Sequence, residues 1–483
     1  MTVGEDRVVK TDSEEEKEPI HPEGWKLSEL CDLLEVKYGK GLPKNTRKPN
    51  GVPVYGSNGI IGQHTIPLTK GPAIIIGRKG TVGAVHFSDV PCWPIDTTYF
   101  IDEFQGIDPA FIVYALRSIN LPYLDTSTAI PGLNREDLYN QKIPLPPIEE
   151  QKRIVAKLEE LLPRVNAVRE RLIRVKGIMK RFRQSVLSAA CSGRLTVSWR
   201  DENLNVEPAG VLFNSIEQKR EREYVEECRR AKAEKRRKPS KWTNLSQELH
   251  AENVEQFASI PSNWIYIPLG KVAGRGTDSI VDGPFGTSIN VKTDYTNGGV
   301  PVVRINNIRA FSFLPDDLRF VSELKYQQLI RHCILPGDVL LTKVGTIGES
   351  CAFPDSYVKA MLSTTGSCRI RVDAELANNK YICIYLNFLK QYLNSMVSES
   401  VQPFLNMRVI KNLPIALPPL QEQREIVRCV ETLFNLADGI EKRVEVELSR
   451  TEKMSQAILA KAFRGELVPN EADLGRRGGE VEK

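Results

Sequence analysis

The chain has 483 residues, of which 41% are hydrophobic and 26% are charged. This length is too great for one compact core, and at about 150 residues per domain it predicts two to four domains. The net charge of +5 is only mildly basic, so any surface that binds nucleic acid must be local. No apolar run reaches the roughly 18 residues of a membrane span, and residues 1–22 lack the apolar centre of a signal peptide. The composition therefore excludes a membrane protein and predicts a cytoplasmic protein with a disordered acidic arm at residues 1–22.

The cysteines and histidines show no metal-binding pattern. The nine cysteines are far apart and include no C-x-x-C pair, and the five histidines are equally scattered. Closely spaced Cys or His ligands are typical of zinc sites. The sequence therefore predicts reduced thiols and no metal site.

Residues 23–147 have the pattern of a first globular domain. Short β-like runs, from Val52 to Tyr55 and from Ala73 to Ile76, are separated by Gly, Pro and Asn turns. The region is locally basic and polar, which suits phosphate contacts by Lys or Arg and base-edge contacts by Asn, Ser or Tyr. The candidate DNA-binding residues here are Lys37, Lys40, Lys44, Arg47, Lys48, Tyr55, Ser57, Asn58, Arg78 and Lys79. Asn58 followed by Gly59 is equally typical of a hairpin turn, and that alternative stays open.

Residues 148–200 predict a first spacer helix. The apolar residues alternate in steps of four and three, which is the heptad seam of a coiled coil. The seam consists of Ile154, Leu158, Leu161, Val165, Val168, Leu172, Val175, Met179, Phe182, Val186 and Ala189. Pro163 lies inside this seam and predicts a kink or a restart of the helix near Leu162.

Residues 201–257 predict a charged linker helix. Between residues 219 and 241, eleven Lys or Arg face five Glu. A run of this kind usually forms a solvated helix face, and the alternative is that it lies along phosphates.

Residues 258–419 predict a second domain of the same kind, with β-like runs from Val302 to Ile305 and from Val339 to Leu341. Its candidate DNA-binding residues are Lys292, Arg304, Asn306, Asn307 and Lys343. Arg pairs well with guanine and Asn with adenine in the major groove. The two asparagines are also suited to capping a strand, so a structural role remains open for them.

Residues 420–468 predict a second spacer helix, and residues 469–483 predict a disordered tail. The second seam begins with Ile426, Val430, Leu433, Ala437, Ile440 and Val444. Glu447 and Thr451 interrupt it before Met454 and Ile458 resume it. The second seam is therefore weaker in its middle than the first.

The two halves of the chain repeat each other. "PLPPIEEQKRIV" at 144–155 matches "ALPPLQEQREIV" at 416–427 in seven of twelve positions, at an offset of 272. The same offset continues without a gap to Gly193 and Gly465. Upstream, "IIIGRKGTVGAVHF" resembles "VLLTKVGTIGESCAF" at an offset of 265. The repeat predicts an α+β protein with two α/β domains separated by two long helices, related by internal pseudo-two-fold symmetry.

No catalytic motif is present. The chain lacks the G-x-x-x-x-G-K-S or G-x-x-x-x-G-K-T phosphate loop, and "DPAF" at 108–111 lacks the second proline and the glycine-rich loop of an adenine methyltransferase. The sequence therefore predicts no catalytic residue and no cofactor bound to this chain.

The duplicated residues resemble the DNA-specificity subunits of type I restriction-modification systems. The resemblance is carried by "LPPIEEQKRIVAKLEELL" and "LPPLQEQREIVRCVETLF", by "RFRQSVLSAACSGRLT" and "SQAILAKAFRGELV", and by the preceding "PGLNREDLYNQKIPLPP" and "PFLNMRVIKNLPIALPP". It covers nearly all of the chain outside the first 22 and the last 15 residues or so.

This resemblance implies two target recognition domains, each reading one half of a split, asymmetric site in double-stranded DNA. It implies that the two long helices pack antiparallel, set the spacing between the half-sites and dock two modification (methyltransferase) subunits. It also implies restriction and translocation subunits as partners. S-adenosylmethionine, ATP and Mg would then be bound by those partner chains, and catalysis would lie there.

Two other functions remain open. A coiled-coil scaffold without sequence-specific DNA binding would show no steep loss of DNA affinity with rising salt. A self-sufficient methyltransferase would bind S-adenosylmethionine as an isolated chain.

Overall fold

The structure is a computed structural model, and it describes residues 21–119, 121–124, 132–239, 259–274, 278–286, 288–290, 292–397, 404–471, 473 and 474. Nearly all of the predicted acidic arm and most of the predicted tail lie outside these ranges. The chain folds as two compact units. The first unit contains residues 1–175 and 443–483, and the second unit contains residues 176–442.

The predicted first recognition domain is built from short strands and helices. Its strands are β1 (Lys26–Glu29), β2 (Lys37–Tyr38), β3 (Val52–Gly56), β4 (Gly59–His64), β5 (Ala73–Gly77), β6 (Val85–Ser88), β7 (Trp93–Pro94), β8 (Thr98–Ile101) and β9 (Lys142–Leu145), and its helices are α1 (Leu30–Leu33), α2 (Pro109–Ser118) and α3 (Arg135–Tyr139). The predicted runs at 52–55 and 73–76 are confirmed as strands. All five residues of β5 are buried, as expected for a central strand covered on both faces.

These strands form three sheets. The largest is antiparallel, in the order β2–β8–β5–β6. In the second sheet, β3 pairs antiparallel with β4 and parallel with β7. The third pairs β1 with β9. Because Ser57 and Asn58 join β3 to β4, the hairpin-turn interpretation of Asn58 is confirmed.

Three helices follow, namely α4 (Ile148–Cys191), α5 (Val197–Glu202) and α6 (Ala209–Ala233). The long helix α4 passes through Pro163 without ending. The predicted restart at Leu162 is therefore wrong, although Pro163 still removes one backbone hydrogen-bond donor from the helix. The helix ends at Cys191, before the predicted boundary at residue 200, because Gly193 adopts a positive φ of 77°. A side chain at Gly193 would also collide with the ring of Pro261.

The predicted second recognition domain has more strands. They are β10 (Ile265–Pro268), β11 (Ile280–Asp282), β12 (Tyr295–Thr296), β13 (Val300–Val303), β14 (Ile308–Arg309), β15 (Ser312–Phe313), β16 (Arg319–Val321), β17 (Cys333–Ile334), β18 (Val339–Thr342), β19 (Ser350–Ala352), β20 (Ala360–Leu362), β21 (Ser367–Ile370) and β22 (Pro414–Leu417). The helices here are α7 (Leu269–Val272), α8 (Glu323–Gln328), α9 (Asn379–Phe388), α10 (Lys390–Ser395) and α11 (Met407–Lys411), and α12 (Leu420–Phe463) follows them.

The sheets of the second unit repeat those of the first. The antiparallel order β11–β21–β18–β19 corresponds to β2–β8–β5–β6. Strand β13 pairs antiparallel with β16 and parallel with β20, as β3 does with β4 and β7. The pair β10–β22 corresponds to β1–β9. The repeat predicted from the sequence is thus confirmed in strand order and direction, and the second unit adds β12, β17 and the β14–β15 hairpin.

Each core is completed by the far end of the other half's long helix. In the first unit, Phe463 of α12 packs on Phe111 of α2 with ring centroids 5.3 Å apart. In the second unit, Val186, Leu187 and Ala190 of α4 join the main core cluster. Each recognition domain therefore buries one helix that follows it directly and one that arrives from elsewhere in the sequence.

The two long helices run antiparallel within the second unit. Arg183 on α4 binds Asp438 at 2.6 Å and Glu441 at 2.8 Å on α12. Further along the chain, Thr196 donates to Glu422 at 2.8 Å. Contact positions thus fall along α12 as they rise from α4 into the turn that follows it, which confirms the antiparallel prediction within this unit.

Most residues of the predicted heptad seam in α4 are buried or half-buried. Ile154, Leu158 and Val165 are buried, whereas Val168 is 46% exposed. In α12 the predicted interruption is found at one of its two residues, Glu447. Thr451 is buried and Glu447 is exposed, and Met454 is also exposed while Leu459 and Ala462 are buried. Of the two residues expected to interrupt the seam, Thr451 therefore lies in it.

The start of each long helix is tied to its own recognition domain by the Glu-Gln pair of the repeat. Trp25 donates to Glu150 at 2.9 Å, and the backbone N–H of Asp108 donates to Gln151 at 3.0 Å. In the second half, Trp264 donates to Glu422 at 2.9 Å, and the backbone N–H of Asn378 donates to Gln423 at 2.7 Å. All four Glu and Gln side chains are buried, so the repeated motif is a buried joint between domain and helix.

Among the described helices, none carries an apolar stretch sufficient for a membrane span.

Candidate nucleic-acid interface

Three segments of the first unit meet beside the β3–β4 hairpin. The segment at residues 40–51 is held against β4, because Arg47 donates to the carbonyl of Ile61 at 3.2 Å. It is also held against β7, because the ring N–H of Trp93 donates to the carbonyl of Lys40 at 2.8 Å. A Cβ at Gly80 would lie 3.3 Å from Ser57 Oγ, so the glycine loop after β5 touches the hairpin turn. The fold therefore brings together three segments that the sequence marked separately.

Several predicted DNA-binding side chains in this unit are already engaged. Lys37 binds Asp102 at 2.9 Å and Glu103 at 3.2 Å, and the hydrogen bond with Asp102 raises the pKa of Lys37. The guanidinium of Arg78 lies over the rings of Tyr38 and Tyr99. These two cations are held mainly by contacts within the protein.

The structure corrects the prediction for Tyr55. Its side chain is only 7% exposed, and its hydroxyl donates to the carbonyl of Phe87 at 3.4 Å. It is buried together with both of its neighbours, Val54 and Gly56, so this end of β3 is covered on both faces. The prediction that Tyr55 reads a base edge is therefore wrong for this conformation, and its role is packing.

The remaining predicted groups form an exposed set, which we name the first loop surface. It consists of Lys40, Lys44, Lys48, Asn58 and Lys79, all exposed, together with the half-buried Ser57 and Arg47. Sequence reasoning missed two neighbours on β4, Ile60 and Ile61, which are 63% and 40% exposed. Alternation along a strand buries only one of two adjacent residues, so two successive isoleucines are the signal that could have identified an exposed apolar side chain. The first loop surface thus combines cations with apolar contact area.

The second unit places its predicted residues differently. Lys292 and Asn306 are exposed, whereas Asn307 is fully buried. The Asn307 amide donates to the carbonyls of Leu314 and Asp316 at 2.9 and 3.0 Å, and its side-chain oxygen accepts from the backbone N–H of Arg304. The prediction that Asn307 contacts a base is wrong, because all its hydrogen-bonding groups hold a loop together.

The side chain of Arg304 is also held within the protein, because its guanidinium binds the Asp317 carboxylate at 2.8 Å. Lys343 is a further correction. It is fully buried, and its ammonium pairs with Asp282 at 3.1 Å and lies 4.6 Å from the ring centroid of Phe404. A buried ammonium requires such a partner, so Lys343 is a structural cation and is not a surface phosphate contact.

Lys343 and Arg78 nevertheless occupy the same position in the two halves. The backbone N–H of Arg78 donates to Thr97 at 2.9 Å, and its carbonyl accepts from Leu133 at 2.9 Å. For Lys343 the corresponding distances are 2.8 Å to Gly366 and 3.0 Å from Leu405. Each cation also sits against aromatic rings and begins a glycine loop. The backbone hydrogen bonds around this cation are thus the same in the two halves, whereas the accessibility of its side chain differs.

The adjacent residues Asn306 and Asn307 have different roles, the first at the surface and the second in the structure. We expect Asn307→Ala to lower the free energy of unfolding by about 2–3 kcal/mol, because it leaves buried carbonyls without donors. We expect Asn306→Ala to change it by less than about 0.5 kcal/mol, because that side chain is exposed. Denaturant unfolding of the full chain measures both. Equal losses at the two positions would contradict the assigned roles.

In the described part of the chain, no three His, Cys, Asp or Glu side chains converge to hold a metal ion.

Comparisons with known proteins agree with this architecture. A family model described as "Type I restriction modification DNA specificity domain" matches residues 22–175 and 283–450. The EcoKI specificity subunit of Escherichia coli is 30% identical over 92% of this chain and 90% of its own length. The EcoDI specificity subunit of Escherichia coli is 26% identical over 92% of this chain and 89% of its own length.

A solved structure has the same fold. It is described as "Structural basis underlying complex assembly and conformational transition of the type I R-M system", and one of its chains matches with a TM-score of 0.63 and 19% identity. The match covers 92% of this chain and 99% of that one. From the family model and the extent of the match to the EcoKI subunit, this chain belongs to the type I restriction-modification DNA specificity family.

Proposed function

We propose that the chain is the DNA sequence-recognition subunit of a type I restriction-modification complex. The observation that carries this proposal is the duplication of one recognition plan in two units with different accessible side chains. In this proposal each unit reads one part of a split site in double-stranded DNA. The two parts differ in sequence because the exposed loops of the two units differ.

The first loop surface suits the recognition of duplex DNA. The ammonium groups of Lys40, Lys44 and Lys48 are exposed and can neutralise phosphates. Asn58, at the tip of the hairpin, carries both a donor and an acceptor for a base edge. The exposed Ile60 adds apolar contact of the kind that suits a thymine methyl group.

Among the described residues, the second unit offers exposed candidates of its own and one strongly exposed aromatic side chain. Lys292 and Asn306 are exposed, and Phe285 is 78% exposed. An aromatic side chain of this kind provides a large rigid contact. We assign base-edge reading in this half to Asn306 and phosphate contact to Lys292.

The two long helices suit the roles of spacer and docking surface. Each crosses from one unit to the other along the chain, since α4 begins in the first unit and ends in the second, and α12 does the reverse. Each also exposes large apolar side chains, which mark protein-binding surface when they gather. These are Val168, Ile173 and Ile178 on α4 and Leu436, Val446 and Met454 on α12.

We propose that two modification subunits dock on these helices and that restriction subunits join the assembly. The proposal places catalysis in those partner chains, together with S-adenosylmethionine, ATP and Mg. It also places the assembly in the cytoplasm, where it meets its DNA.

The test is enrichment of bound duplexes from a random-sequence pool by the chain assembled with its modification subunits. We expect a motif of two conserved parts separated by an unconserved spacer. Replacing Lys40, Lys44 and Lys48 together by Gln should weaken binding to all duplexes and lower the salt dependence, at roughly 0.9 per lost phosphate contact. The Asn306→Ala variant should instead relax the motif at one position of one part.

A pool without any enriched split motif would contradict the proposal. A scaffold without sequence-specific binding would give that result together with a weak salt dependence.

A further inference from the structure

Helix α6 is fixed to the second unit by its first half. Ile216 lies in the main core cluster, and Arg220 is only 3% exposed. Arg220 binds Asp373 at 2.6 Å and donates to the carbonyls of Lys271 and Ala273 at the end of α7. The buried guanidinium therefore both pairs with a carboxylate and caps a neighbouring helix. The predicted linker helix is thus anchored to the second unit at Arg220.

The second half of α6 extends beyond that anchor and changes in charge. From residue 217 to 227, five Glu outnumber three Lys or Arg. From residue 229 to 238, seven Lys or Arg face one Glu, a net charge of +6. At about 1.5 Å per residue, the basic stretch begins roughly 14 Å beyond Arg220 along the helix axis. The basic stretch is therefore separated along the helix from the Arg220 anchor, and Ala231 within it is itself buried.

A turn at the end of α6 folds the basic residues onto one side. Lys235 has a positive φ of 52°, which is rare for a residue other than Gly, Asn or Asp. The backbone N–H of Arg236 donates to the carbonyl of Ala231 at 2.8 Å, the long bond of a helix-ending turn. The chain then runs back, and the Tyr224 hydroxyl donates to the carbonyl of Pro239 at 3.4 Å. The reversal brings residues after the helix beside residues within it.

The result is a cleft of about 550 Å³ with an apolar floor and basic walls. Tyr224, Val225 and Cys228 form the floor, and the walls are Arg229, Lys232, Arg236 and Lys238. Arg229 and Arg236 have carboxylate neighbours at 4.0 and 2.6 Å, but these pairs are exposed and contribute little. All four cations are exposed to solvent. We name this feature the α6 basic cleft.

Two ordinary explanations do not account for the cleft. Cations near a helix C-terminus are favoured by the helix dipole, which covers Lys232 but not Arg236 or Lys238, which lie past the helix end. A solvated face normally mixes both signs, as the first half of α6 does. The four like charges of the cleft repel each other, and the exposed carboxylates of Glu226 and Glu234 neighbour only Arg229 and Arg236 among them.

We propose that the α6 basic cleft is a second DNA contact, which binds backbone phosphates without regard to sequence. Arg and Lys are the residues that neutralise phosphates. Attachment through Arg220 gives the cleft a fixed position on the second unit. A contact with phosphates adds affinity but carries no sequence information, so the cleft does not read bases. This inference rests on the proposed function, because it assumes that the second unit binds DNA.

The test uses the chain assembled with its modification subunits, a duplex carrying the enriched motif and a random-sequence duplex. Arg229, Lys232, Arg236 and Lys238 are replaced together by Gln. We expect affinity for both duplexes to fall by the same factor, about 10- to 100-fold at low salt. The slope of log affinity against log salt should fall by about 3.6, since each of the four phosphate contacts contributes roughly 0.9. The enriched motif itself should not change.

Two controls accompany the test. Lys232→Arg with Lys238→Arg keeps the charge and should retain the wild-type slope. Arg222→Gln removes an exposed cation of the same helix outside the cleft and should change the slope by less than the cleft variant. If the fourfold variant does not fold, Lys232→Gln and Lys238→Gln singly should each lower the slope by just under one.

An unchanged salt slope in a folded variant overturns the inference. Weaker assembly with the modification subunits at unchanged DNA affinity also overturns it, because that result would assign the cleft to a protein partner. Failure of the proposed function looks different, because the wild-type assembly would then bind both duplexes equally.

Discussion

Replacing Glu422 by Gln is expected to destabilise the second unit by about 2–3 kcal/mol. Glu422 is fully buried, and its carboxylate binds Arg200 at 2.5 Å while accepting from Thr196 and Trp264. The Gln side chain can still accept from Trp264, but it leaves the guanidinium of Arg200 without its countercharge. Breaking a buried pair costs about 3–5 kcal/mol, and the 19% exposure of the Arg200 side chain reduces that value.

The matched control is Glu150→Gln, at the corresponding position of the first unit. Trp25 donates to Glu150 at 2.9 Å, and burial raises the pKa of Glu150 above its ordinary value of 4.5. A raised pKa in the folded state means that ionised Glu150 opposes folding. Its contribution to stability is therefore present at low pH and lost as pH rises through the raised pKa.

We therefore expect Glu150→Gln to be neutral or stabilising at neutral pH, because it removes a buried charge. Its advantage over the wild type should grow as pH rises from about 4.5 and then level off. Denaturant unfolding of the full chain, with hydrogen exchange of the amides in each joint, measures both variants. Equal destabilisation of the two joints would contradict the assigned difference.

The joints show what the sequence could and could not predict. The offset of 272 identified Glu150 with Glu422 and Gln151 with Gln423, since a repeated motif is visible in the residues alone. Their burial and their tryptophan partners were not visible. Trp25 and Trp264 lie 125 and 158 residues away from the carboxylates that they bind. No local pattern specifies contacts at such separations.

The same limit explains the errors in the candidate interface. Residue type identified Lys343 and Asn307 as nucleic-acid ligands, because Lys and Asn do contact DNA. Whether such a residue is exposed depends on what the fold places around it. Lys343 meets Asp282, 61 residues away, and becomes a buried cation. Lys40, Lys44 and Lys48 remain exposed, so the prediction of DNA contact stays intact for them.

Periodicity predicted the long helices well because it is a local property. Apolar residues in steps of three and four correctly predicted a helix through residues 154–189. The helix forms even though Pro163 is unfavourable in a helix interior. The loss of one hydrogen bond is small beside the burial along a helix of 44 residues. In α12, counting predicted an interruption at Glu447 and Thr451, whereas the fold exposes Glu447 and buries Thr451. Whether a polar residue of a seam is buried depends on the surface that packs against it, and counting along one helix does not show that surface.

Lengthening both long helices is expected to change the DNA spacer without changing the half-sites. Insert four helix-forming residues after Arg183 in α4 and four after Asp438 in α12. The ion pair of Arg183 with Glu441 shows that these insertion points lie opposite each other in the second unit, so both helices lengthen together. Four residues add about 6 Å of helix, close to the rise of two base pairs at roughly 3.4 Å each.

If the helices set the spacing, the motif enriched by the assembled variant should keep its two conserved parts and gain about one or two base pairs between them. Inserting the residues into α4 alone should disrupt pairing with α12 and sharply reduce binding to any duplex, because the seams no longer meet in register. Gly439→Ala, at an exposed helical position with open space around it, should stabilise α12 by about 0.5–1 kcal/mol and leave the spacer unchanged. An unchanged spacer in the doubly lengthened variant would show that the recognition domains are positioned by something other than the helices.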